Sequence, residues 1–464
     1  MAFDLKEIVA ARLGENYQLH EQHLNRTLVA AQRVIGFDKV YARAEGAYLY
    51  DMDNAAYLDF LSGYSVFNIG RNHPAVQKAI RDVLDLDLPN MVQMDCSLLS
   101  GLLAEALTKR TPKHLDAVFF CNSGTEAMEG ALKFARAATQ RPRVFSIGGA
   151  FHGLSLGSLS LMGCESFTEG FGPLMEGFDG RIALDDLATL ERELFKRDVA
   201  AFVIEPVQGK GVNFPRGDFF NRAQELCRKF GTLLICDEIQ TGLGRTGRFL
   251  AVEHWGIEPD MVLLAKALSG GHVPVGAVLT RKWIFDKVFN RMDRAVVHGS
   301  TFSKNDLAMA AGIATLDVIE NEGLIENAER TGRRLLESFT HMAGRHELIK
   351  EVRGKGLLIG VEFGPPRSLT LKASWHALES VNTGLFCQLI TIPLFKEHKV
   401  LSLVAGAGIH TVKLQPPLTL TDDDCTWIER AFDDVIADAH RVPGAAWSLG
   451  KTLVTHAIQA RASA

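Results

Sequence analysis

The sequence predicts an α/β protein with a large domain on a mostly parallel sheet and a smaller α+β domain formed by both chain ends. From about residue 75, short hydrophobic runs alternate with helical stretches, which is typical of a parallel sheet covered by helices. A pattern of short strands and turns precedes this region, and a second α+β pattern follows it. We expect an N-terminal arm and part of the small domain over 1–74, the large domain over 75–330, and the remaining small domain with a helical tail over 331–464.

The N-terminal elements come first. Residues 1 to about 40 carry apolar side chains at helical spacing, among them Leu5, Ile8 and Val9, which predicts amphipathic helical arms. Between residues 39 and 63, glycine and asparagine-aspartate turns separate aromatic-rich runs, which predicts short antiparallel strands. The buried strands predicted for the large sheet are Ala117–Cys121, Arg143–Ile147, Ala200–Ile204, Leu233–Cys236, Met261–Leu264 and Gly276–Thr280.

The C-terminal third repeats the mixture of helix and strand. A long helical region at 308–346 leads into predicted strands at 354–363, 385–395 and 410–420. Thr421 then stands where it would cap a helix over 421–439. The tail from Val442 to Ala464 has helical spacing but carries no motif.

Composition excludes several classes of partner. The 464 residues are 47% hydrophobic and 23% charged, as expected of a globular protein with a sizeable core. A net charge of −5 argues against nucleic acid or an anionic membrane as the main partner, which leaves small molecules and other subunits. The seven cysteines lie largely in apolar runs and suggest reduced core thiols, and no CxxC pair indicates a metal. Since the chain has neither an apolar signal core nor an apolar run near 18 residues, we expect a cytoplasmic protein.

Two charged residues follow buried strands. Asp237 ends the hydrophobic run 233–236, and Lys266 follows the run 261–264, each beside glycines. This pattern predicts an amine and a carboxylate at neighbouring strand ends. Pyridoxal 5′-phosphate needs an amine for its Schiff base and an acid that keeps its ring nitrogen protonated. The alternative is a solvated loop lysine and an ordinary turn residue.

A second group of residues suits the cofactor's phosphate and ring. Ser123, Gly124 and Thr125 join a strand to a helix, where free backbone N–H groups and two hydroxyls would form an anion site, unless the turn is an ordinary N-cap. Phe151 could stack on a flat ring, although an aromatic near a strand end is more often core. His152 has no separate signal and is interpreted as a polar neighbour.

Glu205 and Arg353 suggest a carboxylate site. Glu205 ends the strand at 200–204, and Arg353 lies in what we interpret as a glycine-flanked turn. An arginine fork suits a substrate carboxylate, and a glutamate could pair with it when no carboxylate is bound. Two unrelated surface charges are the alternative. Ser300 and Thr301, in the segment HGST, offer a further hydroxyl-bearing turn for a phosphate.

Taken in order, these segments resemble the class-III, or ω-amino acid type, pyridoxal phosphate aminotransferases over about residues 35–435. The motifs that carry the resemblance are LDFLSGYSVFNIGRNHP, FFCNSGTEAMEGALKFAR, GAFHG, VIEPVQG, DEIQTGLGRTG, LAKALSGG, HGSTF, VRGKGL and LQPPLTLT. Within the class, the chain looks closest to the putrescine, ornithine and acetylornithine aminotransferases. The resemblance implies fold type I and a homodimer with shared active sites.

The resemblance also implies individual roles. Lys266 would be the Schiff-base lysine and Asp237 the partner of the pyridine nitrogen. Gln240 would bond the ring hydroxyl, with Phe151 and Ile239 on the two ring faces and His152 beside them. The implied phosphate-binding residues are Ser123, Gly124 and Thr125, joined by Ser300 and Thr301 of the other subunit. Arg353 and Glu205 would form the carboxylate switch.

The expected reaction moves an amino group from a primary amine or ω-amino acid, such as putrescine or ornithine, to 2-oxoglutarate or pyruvate and leaves an aldehyde. Two departures bear on the donor. Lys210 stands in the loop after Glu205, and the stretch between Gly364 and Val412 is unusually apolar. This stretch would be a buried strand pair and helix, or it would widen a hydrophobic access path. The alternatives are a larger hydrophobic amine, an aminomutase or decarboxylating relative, and a non-catalytic scaffold.

Overall fold

A computed structural model describes residues 3–92, 95–162, 164–441, 444, 447, 449 and 450. The predicted tail therefore lies almost entirely outside the described residues. The helices are α1 (Leu5–Arg12), α2 (Asn16–His23), α3 (Arg26–Ile35), α4 (Ser62–Ser65), α5 (Pro74–Asp85), α6 (Leu98–Arg110), α7 (Gly124–Thr139), α8 (Leu156–Ser160), α9 (Glu165–Thr168), α10 (Leu187–Leu194), α11 (Phe219–Phe230), α12 (Lys282–Val288), α13 (Asp306–Asn321), α14 (Leu324–Arg345), α15 (Leu369–Glu379), α16 (Gln388–Lys396) and α17 (Asp422–Ala439). Short 3₁₀ helices occur at Ala251–His254, Lys266–Ser269, Met292–Arg294 and Leu385–Cys387.

The strands form three sheets. They are β1 (Tyr41–Glu45), β2 (Tyr48–Asp51), β3 (Ala56–Asp59), β4 (Ala117–Cys121), β5 (Arg143–Ile147), β6 (Gly180–Ile182), β7 (Val199–Ile204), β8 (Leu233–Asp237), β9 (Met261–Leu264), β10 (Gly276–Thr280), β11 (Ile349–Lys355), β12 (Leu358–Phe363), β13 (Val400–Leu401), β14 (Leu403–Val404) and β15 (Thr411–Leu414). The central sheet has the order β4-β10-β9-β8-β7-β5-β6. In it β10 pairs antiparallel with both neighbours, while β9, β8, β7, β5 and β6 are parallel.

The predicted α/β fold with a mostly parallel sheet is confirmed. All residues of β7 and β8 are buried, because helices cover a parallel sheet on both faces and leave no strand position for water. The helix α7 begins directly after the loop that follows β4, and the Ser123 hydroxyl caps it by accepting from the N–H of Glu126. This cap directs the first turn of α7 toward the carboxyl ends of the parallel strands.

Two smaller sheets flank the central one. The order β1-β2-β3-β13 joins an N-terminal antiparallel meander to a C-terminal strand that runs parallel to β3, so both parts of the chain share a sheet. The order β11-β12-β15-β14 is antiparallel throughout. The predicted capped helix is α17, where the side chains and backbone of Thr421 and Asp424 bond reciprocally. No helix in the described ranges is long and apolar enough to cross a bilayer.

One predicted strand is wrong. Residues 385–395 form a 3₁₀ turn and the helix α16, with Pro393 inside it. The side chains of Leu389, Ile390, Ile392 and Leu394 are buried, so the run is apolar on every side and has no periodicity that separates a helix from a strand. Its length favours a helix over a strand. These side chains and Trp375 belong to the hydrophobic core, which corrects the idea that they widen an access path.

Candidate active site

A cavity of about 770 Å³ opens at the carboxyl ends of β7, β8 and β9. Ligands bind at this edge in α/β proteins, because the loops and helix N-termini that follow the strands converge there. The volume is that of an ordinary small-molecule site. The residues that the next paragraphs use from its lining are Tyr64, Ser123, Gly124, Thr125, Phe151, His152, Phe167, Glu205, Lys210, Asp237, Ile239, Gln240, Lys266 and Lys413.

Asp237 and Lys266 lie at adjoining strand ends, in the arrangement that the sequence predicts. β8 pairs in parallel with β9, and Asp237 is the last residue of β8, opposite Leu263. Lys266 follows β9 by two positions and has a positive φ of 42°. A lysine in this left-handed region carries backbone strain, and such strain is tolerated where the surrounding structure holds the residue for function.

The electrostatic surroundings suit Lys266 as an amine nucleophile. Burial lowers the pKa of Lys266, while the nearby carboxylates of Asp237 and Glu205 act in the opposite direction without offsetting it. A lowered pKa increases the neutral fraction of the amine at neutral pH. The same burial that shapes the cavity therefore prepares the lysine for attack on a carbonyl carbon.

His152 holds the carboxylate of Asp237. Its Nδ1 atom lies 2.8 Å from Oδ2 of Asp237, and both side chains are almost fully buried. The N–H of Ile239 donates to the other carboxylate oxygen at 3.1 Å. His152 is therefore more than the polar neighbour expected from the sequence, because it fixes the orientation of a buried carboxylate. The one sequence signal for this role is its place after an aromatic residue in the loop that follows β5.

The start of α7 supplies an anion site in the cavity wall. The first backbone N–H groups of a helix have no intrahelical partner, and α7 begins at Gly124. A Cβ on Gly124 would come within 2.9 Å of the Ile239 side chain, so glycine is needed for this close approach. The Thr125 hydroxyl bonds to the hydroxyls of Ser155 and Ser158 at 2.6 and 2.7 Å. The loop that carries Gly153 is thereby tied to the helix start.

The remaining predicted ring contacts also line the cavity. Phe151 and Ile239 reach it from the loops after β5 and β8. Gln240 faces it as well, and its amide donates to Oε1 of Gln415 at 2.7 Å. The structure thus brings these three residues into one space with Asp237 and Lys266.

Ser300 and Thr301 do not line the cavity of their own chain. Ser300 is half-buried and its hydroxyl accepts from the side-chain amide of Asn122 at 2.6 Å, next to the predicted phosphate turn. Thr301 is exposed. The role implied for them from a second subunit stays a prediction.

The predicted pair of Arg353 and Glu205 is not found. Arg353 lies within β11 rather than in a turn, and its guanidinium pairs with Glu351 at 2.9 Å and Glu362 at 2.5 Å. It also donates to the carbonyl oxygen of Gly211 at 2.6 Å. Glu205 accepts instead from the N–H groups of Phe151 and Gly209. The glycines around Arg353 suggested a turn, whereas they allow the tight pairing of β11 with β12.

Lys413 is a cation in the same cavity as Glu205 that the sequence analysis did not single out. It is 5% exposed, lies in β15, and its ammonium donates to the carbonyl oxygen of Gly209 at 2.8 Å. Burial lowers the pKa of Lys413 to about 7; the charge of Lys266 acts in the same direction and Glu205 opposes both. Burial also raises the pKa of Glu205. The sequence contained a signal for this role, because Lys413 is a single charged residue between apolar residues of a predicted strand.

A lysine and an aspartate at adjoining ends of a mostly parallel sheet, beside a helix N-terminus, define the fold type I class of pyridoxal phosphate proteins. The sequence profile of the class-III aminotransferases matches residues 29–436, and the chain belongs to that family. Aminotransferase PigE of Serratia sp. (strain ATCC 39006) is 32% identical over 448 residues, which cover 90% of this chain and 52% of PigE. The chain thus spans about half the length of that curated relative.

Solved structures agree with this family. The ornithine aminotransferase from Toxoplasma gondii ME49 is 30% identical, with a TM-score of 0.76 over 89% of this chain and 94% of its own. An amine transaminase from an uncultivated Pseudomonas species, determined in its PLP-bound form, is 32% identical, with a TM-score of 0.73 over 86% of this chain and 94% of its own. The resemblance to class-III aminotransferases expected from the motifs is confirmed.

Proposed function

We propose that the protein is a pyridoxal 5′-phosphate-dependent transaminase that moves an amino group from a primary amine or ω-amino acid to a 2-oxo acid. The observation that carries this proposal is the shared cavity of Lys266, Asp237 and the start of α7. Family membership and the PLP-bound neighbour support it.

The residues present fit this cofactor. Its ring nitrogen needs a buried acid, and the Asp237 carboxylate is 4% exposed and held by His152. Its phosphate needs backbone hydrogen-bond donors, and the unpaired N–H groups in the first turn of α7 would supply them. Gly124, which has no side chain, would let the phosphate come close to these N–H groups. Its flat ring needs apolar faces, which Phe151 and Ile239 would supply. Gln240 is near enough to the cavity to bond the ring hydroxyl.

Bound pyridoxal phosphate supplies an aldehyde carbon and a protonated ring that withdraws electrons from the reacting carbon. Lys266 would bind the cofactor through Nζ, be released when the donor amine arrives, and then move the proton from the amine-bearing carbon of the donor. Asp237 would keep the ring nitrogen protonated, with His152 holding the carboxylate in place. The donor would leave as an aldehyde whose oxygen comes from water, and its amino group would pass to the 2-oxo acid in the second half-reaction.

Lys413 takes the role that the sequence pattern predicted for Arg353. Its ammonium faces the cavity beside Glu205 and donates to a backbone carbonyl. A carboxylate is a stronger partner for a buried ammonium than a neutral carbonyl, because the bond is charge-assisted on both sides. Lys413 would therefore bind the carboxylate of the 2-oxo acid, with Glu205 balancing the charge when a donor without a carboxylate is present.

Two donor classes are supported. The neighbours named for ornithine and for amines favour a primary or terminal amine. The lining of the cavity includes the apolar side chains of Tyr64, Val66, Phe167 and Val404, which favours a larger hydrophobic amine as the second candidate.

We also propose a homodimer. The segment before Ser300 exposes Met292 and Val296, and Phe302 follows, also exposed. Exposed apolar side chains close to a predicted shared phosphate contact suit an interface between two copies. Light scattering would measure the mass, and mixing of Lys266→Ala with Thr301→Ala subunits would test whether the sites are shared.

The test of the function is a donor panel on the purified holoenzyme, from putrescine and ornithine to long alkyl amines, with 2-oxoglutarate or pyruvate added. We expect the cofactor absorbance to change on mixing with a donor and to be restored by the 2-oxo acid. Restoration that needs no 2-oxo acid, or release of carbon dioxide, would indicate an aminomutase or a decarboxylating enzyme instead. A colourless protein that binds no pyridoxal phosphate would overturn the proposal in favour of a scaffold.

A further inference from the structure

Lys210 is a second cation of the cavity that the proposed mechanism leaves unused. It follows Gly209 in the loop after β7, and its side chain lines the same space as Lys413. Its ammonium nitrogen is buried, and in the part of the chain that the structure describes it makes no hydrogen bond. The nitrogen lies 4.3 Å from the ring centre of Phe167 and 6.0 Å from that of Phe151.

A buried ammonium without a hydrogen bond is unfavourable unless something compensates it. Contact with two aromatic rings offsets part of this desolvation. The nitrogen's three donors stay unmet by the described protein groups, and an anionic ligand would meet them.

The thiol of Cys164 lies near Lys210 and responds to its charge. Its pKa is lowered, first by a hydrogen bond with Ser166 and then by the charge of Lys210, although burial acts against both. Cys164 is the N-cap residue of α9, the helix that contains Phe167. The position next to Lys210 therefore favours a negative charge.

The charges left in the cavity suit a ligand with two carboxylates. Lys266 and Asp237 belong to the cofactor in the proposed function, so the charged Lys and Glu side chains that remain in the lining are Lys210, Lys413 and Glu205. Two ammonium groups thus face one carboxylate. Lys413 donates to the carbonyl oxygen of Gly209, the residue that precedes Lys210 in the chain.

We propose that Lys210 and Lys413 bind the two carboxylates of a dicarboxylic 2-oxo acid, which makes Lys210 the residue that selects a dianionic acceptor over a monocarboxylic one. This inference rests on the proposed transaminase function and names its acceptor class. Lys413 is assigned to one carboxylate because the charge of Glu205 acts on it, and Lys210 is assigned to the other because its ammonium has no hydrogen bond within the described residues. A purely structural cation–π contact of Lys210 with Phe167 is the competing explanation.

The test compares two acceptors of equal chain length, 2-oxoglutarate and 2-oxopentanoate, which differ in the distal carboxylate. Wild-type protein should prefer 2-oxoglutarate in the acceptor half-reaction, measured by single-turnover absorbance of the cofactor. Lys210→Met keeps the side-chain length without its charge, and should lower the preference ratio in kcat/KM by about tenfold to a hundredfold, the loss expected for one charge-assisted hydrogen bond. Lys210→Arg should recover much of the ratio.

Lys355→Met is a matched control. Lys355 also lies over two aromatic rings, Phe214 and Trp255, at 5.1 and 5.2 Å, and burial lowers its pKa, but it does not line the cavity. We expect Lys355→Met to keep the wild-type ratio. Equal losses for both acceptors in Lys210→Met, or no preference in the wild type, would overturn the inference.

A binding measurement separates this inference from the reaction itself. Glutarate and pentanoate lack the oxo group, and calorimetry on the holoenzyme should show that glutarate binds more tightly and that Lys210→Met removes the difference. A protein that transfers no amino group would refute the proposed function while calorimetry still decides the two-lysine site. Glutarate that binds no better than pentanoate would refute the site even in an active transaminase.

Discussion

Lys413 provides a prediction about pH that follows from its burial. With a pKa of about 7, the side chain is a cation below neutral pH and becomes neutral as the pH rises. Only the cation can bind the carboxylate of a 2-oxo acid by a charge-assisted bond, and that carboxylate stays ionised between pH 6 and 9 because carboxyl pKa values lie well below this range. At one pH unit above the pKa about a tenth of Lys413 remains charged, and at two units about a hundredth. The KM for the acceptor should therefore rise about tenfold per pH unit above neutrality.

Stopped-flow mixing of the amino form of the enzyme with 2-oxoglutarate between pH 6 and 9 would measure this rise in the acceptor KM. Glu205 and Lys266 also face Lys413 and titrate. Lys413→Arg keeps both of these groups, so the difference between its acceptor profile and that of the wild type isolates Lys413. Lys413→Arg should flatten the profile up to pH 9, because a guanidinium stays charged.

An acceptor KM that is flat from pH 6 to 9 in the wild type would refute the assignment of Lys413. So would a Lys413→Arg profile that still bends near neutral pH, since the bend would then belong to another group. Either result would leave Lys413 as a residue that only bonds the Gly209 carbonyl.

Four further substitutions test the rest of the site. Lys266→Ala should abolish turnover while circular dichroism and the melting temperature stay near wild type, and retained activity would refute its role. Asp237→Asn should keep the cofactor but lower kcat by several powers of ten, because the charge stabilises the transition state more than the ground state, and a loss below tenfold would count against it. Gly124→Ala should weaken cofactor binding, measured by fluorescence titration, because its Cβ would meet Ile239 at 2.9 Å; Gly101→Ala, where nothing lies within 4 Å, is the control. Arg353→Lys should lower the melting temperature through the lost pairing with Glu351 and Glu362, while both half-reactions keep their relative rates. A defect in the acceptor half-reaction alone would instead support the carboxylate-binding role that the sequence pattern predicted for Arg353.

Local patterns in the sequence determined the frame of the site. The strands at 117–121, 143–147 and 261–264 are found with the predicted bounds, because each is a short apolar run bounded by polar or glycine residues. The positions of Asp237 and Lys266 follow from this frame, since residues that end parallel strands share one edge of the sheet. The turn at Ser123–Thr125 is likewise local, because a cap and the helix that it starts are adjacent in sequence.

The tertiary structure decided which distant residues meet. Glu205 is far in sequence from both Arg353 and Lys413, and the glycine pattern favoured Arg353, yet β11 directs that guanidinium to Glu351 and Glu362. β15 instead carries Lys413 to the Gly209 carbonyl and the cavity. The helix α16 was also not predictable from the sequence alone, because an apolar run that is buried on all sides lacks the periodicity that separates a helix from a strand. The pattern of apolar and polar residues along the chain determines the helices and strands. Which side chains of different strands meet depends on the register of the sheets. Here the register places the ammonium of Lys413, with its lowered pKa, where the sequence pattern predicted the guanidinium of Arg353.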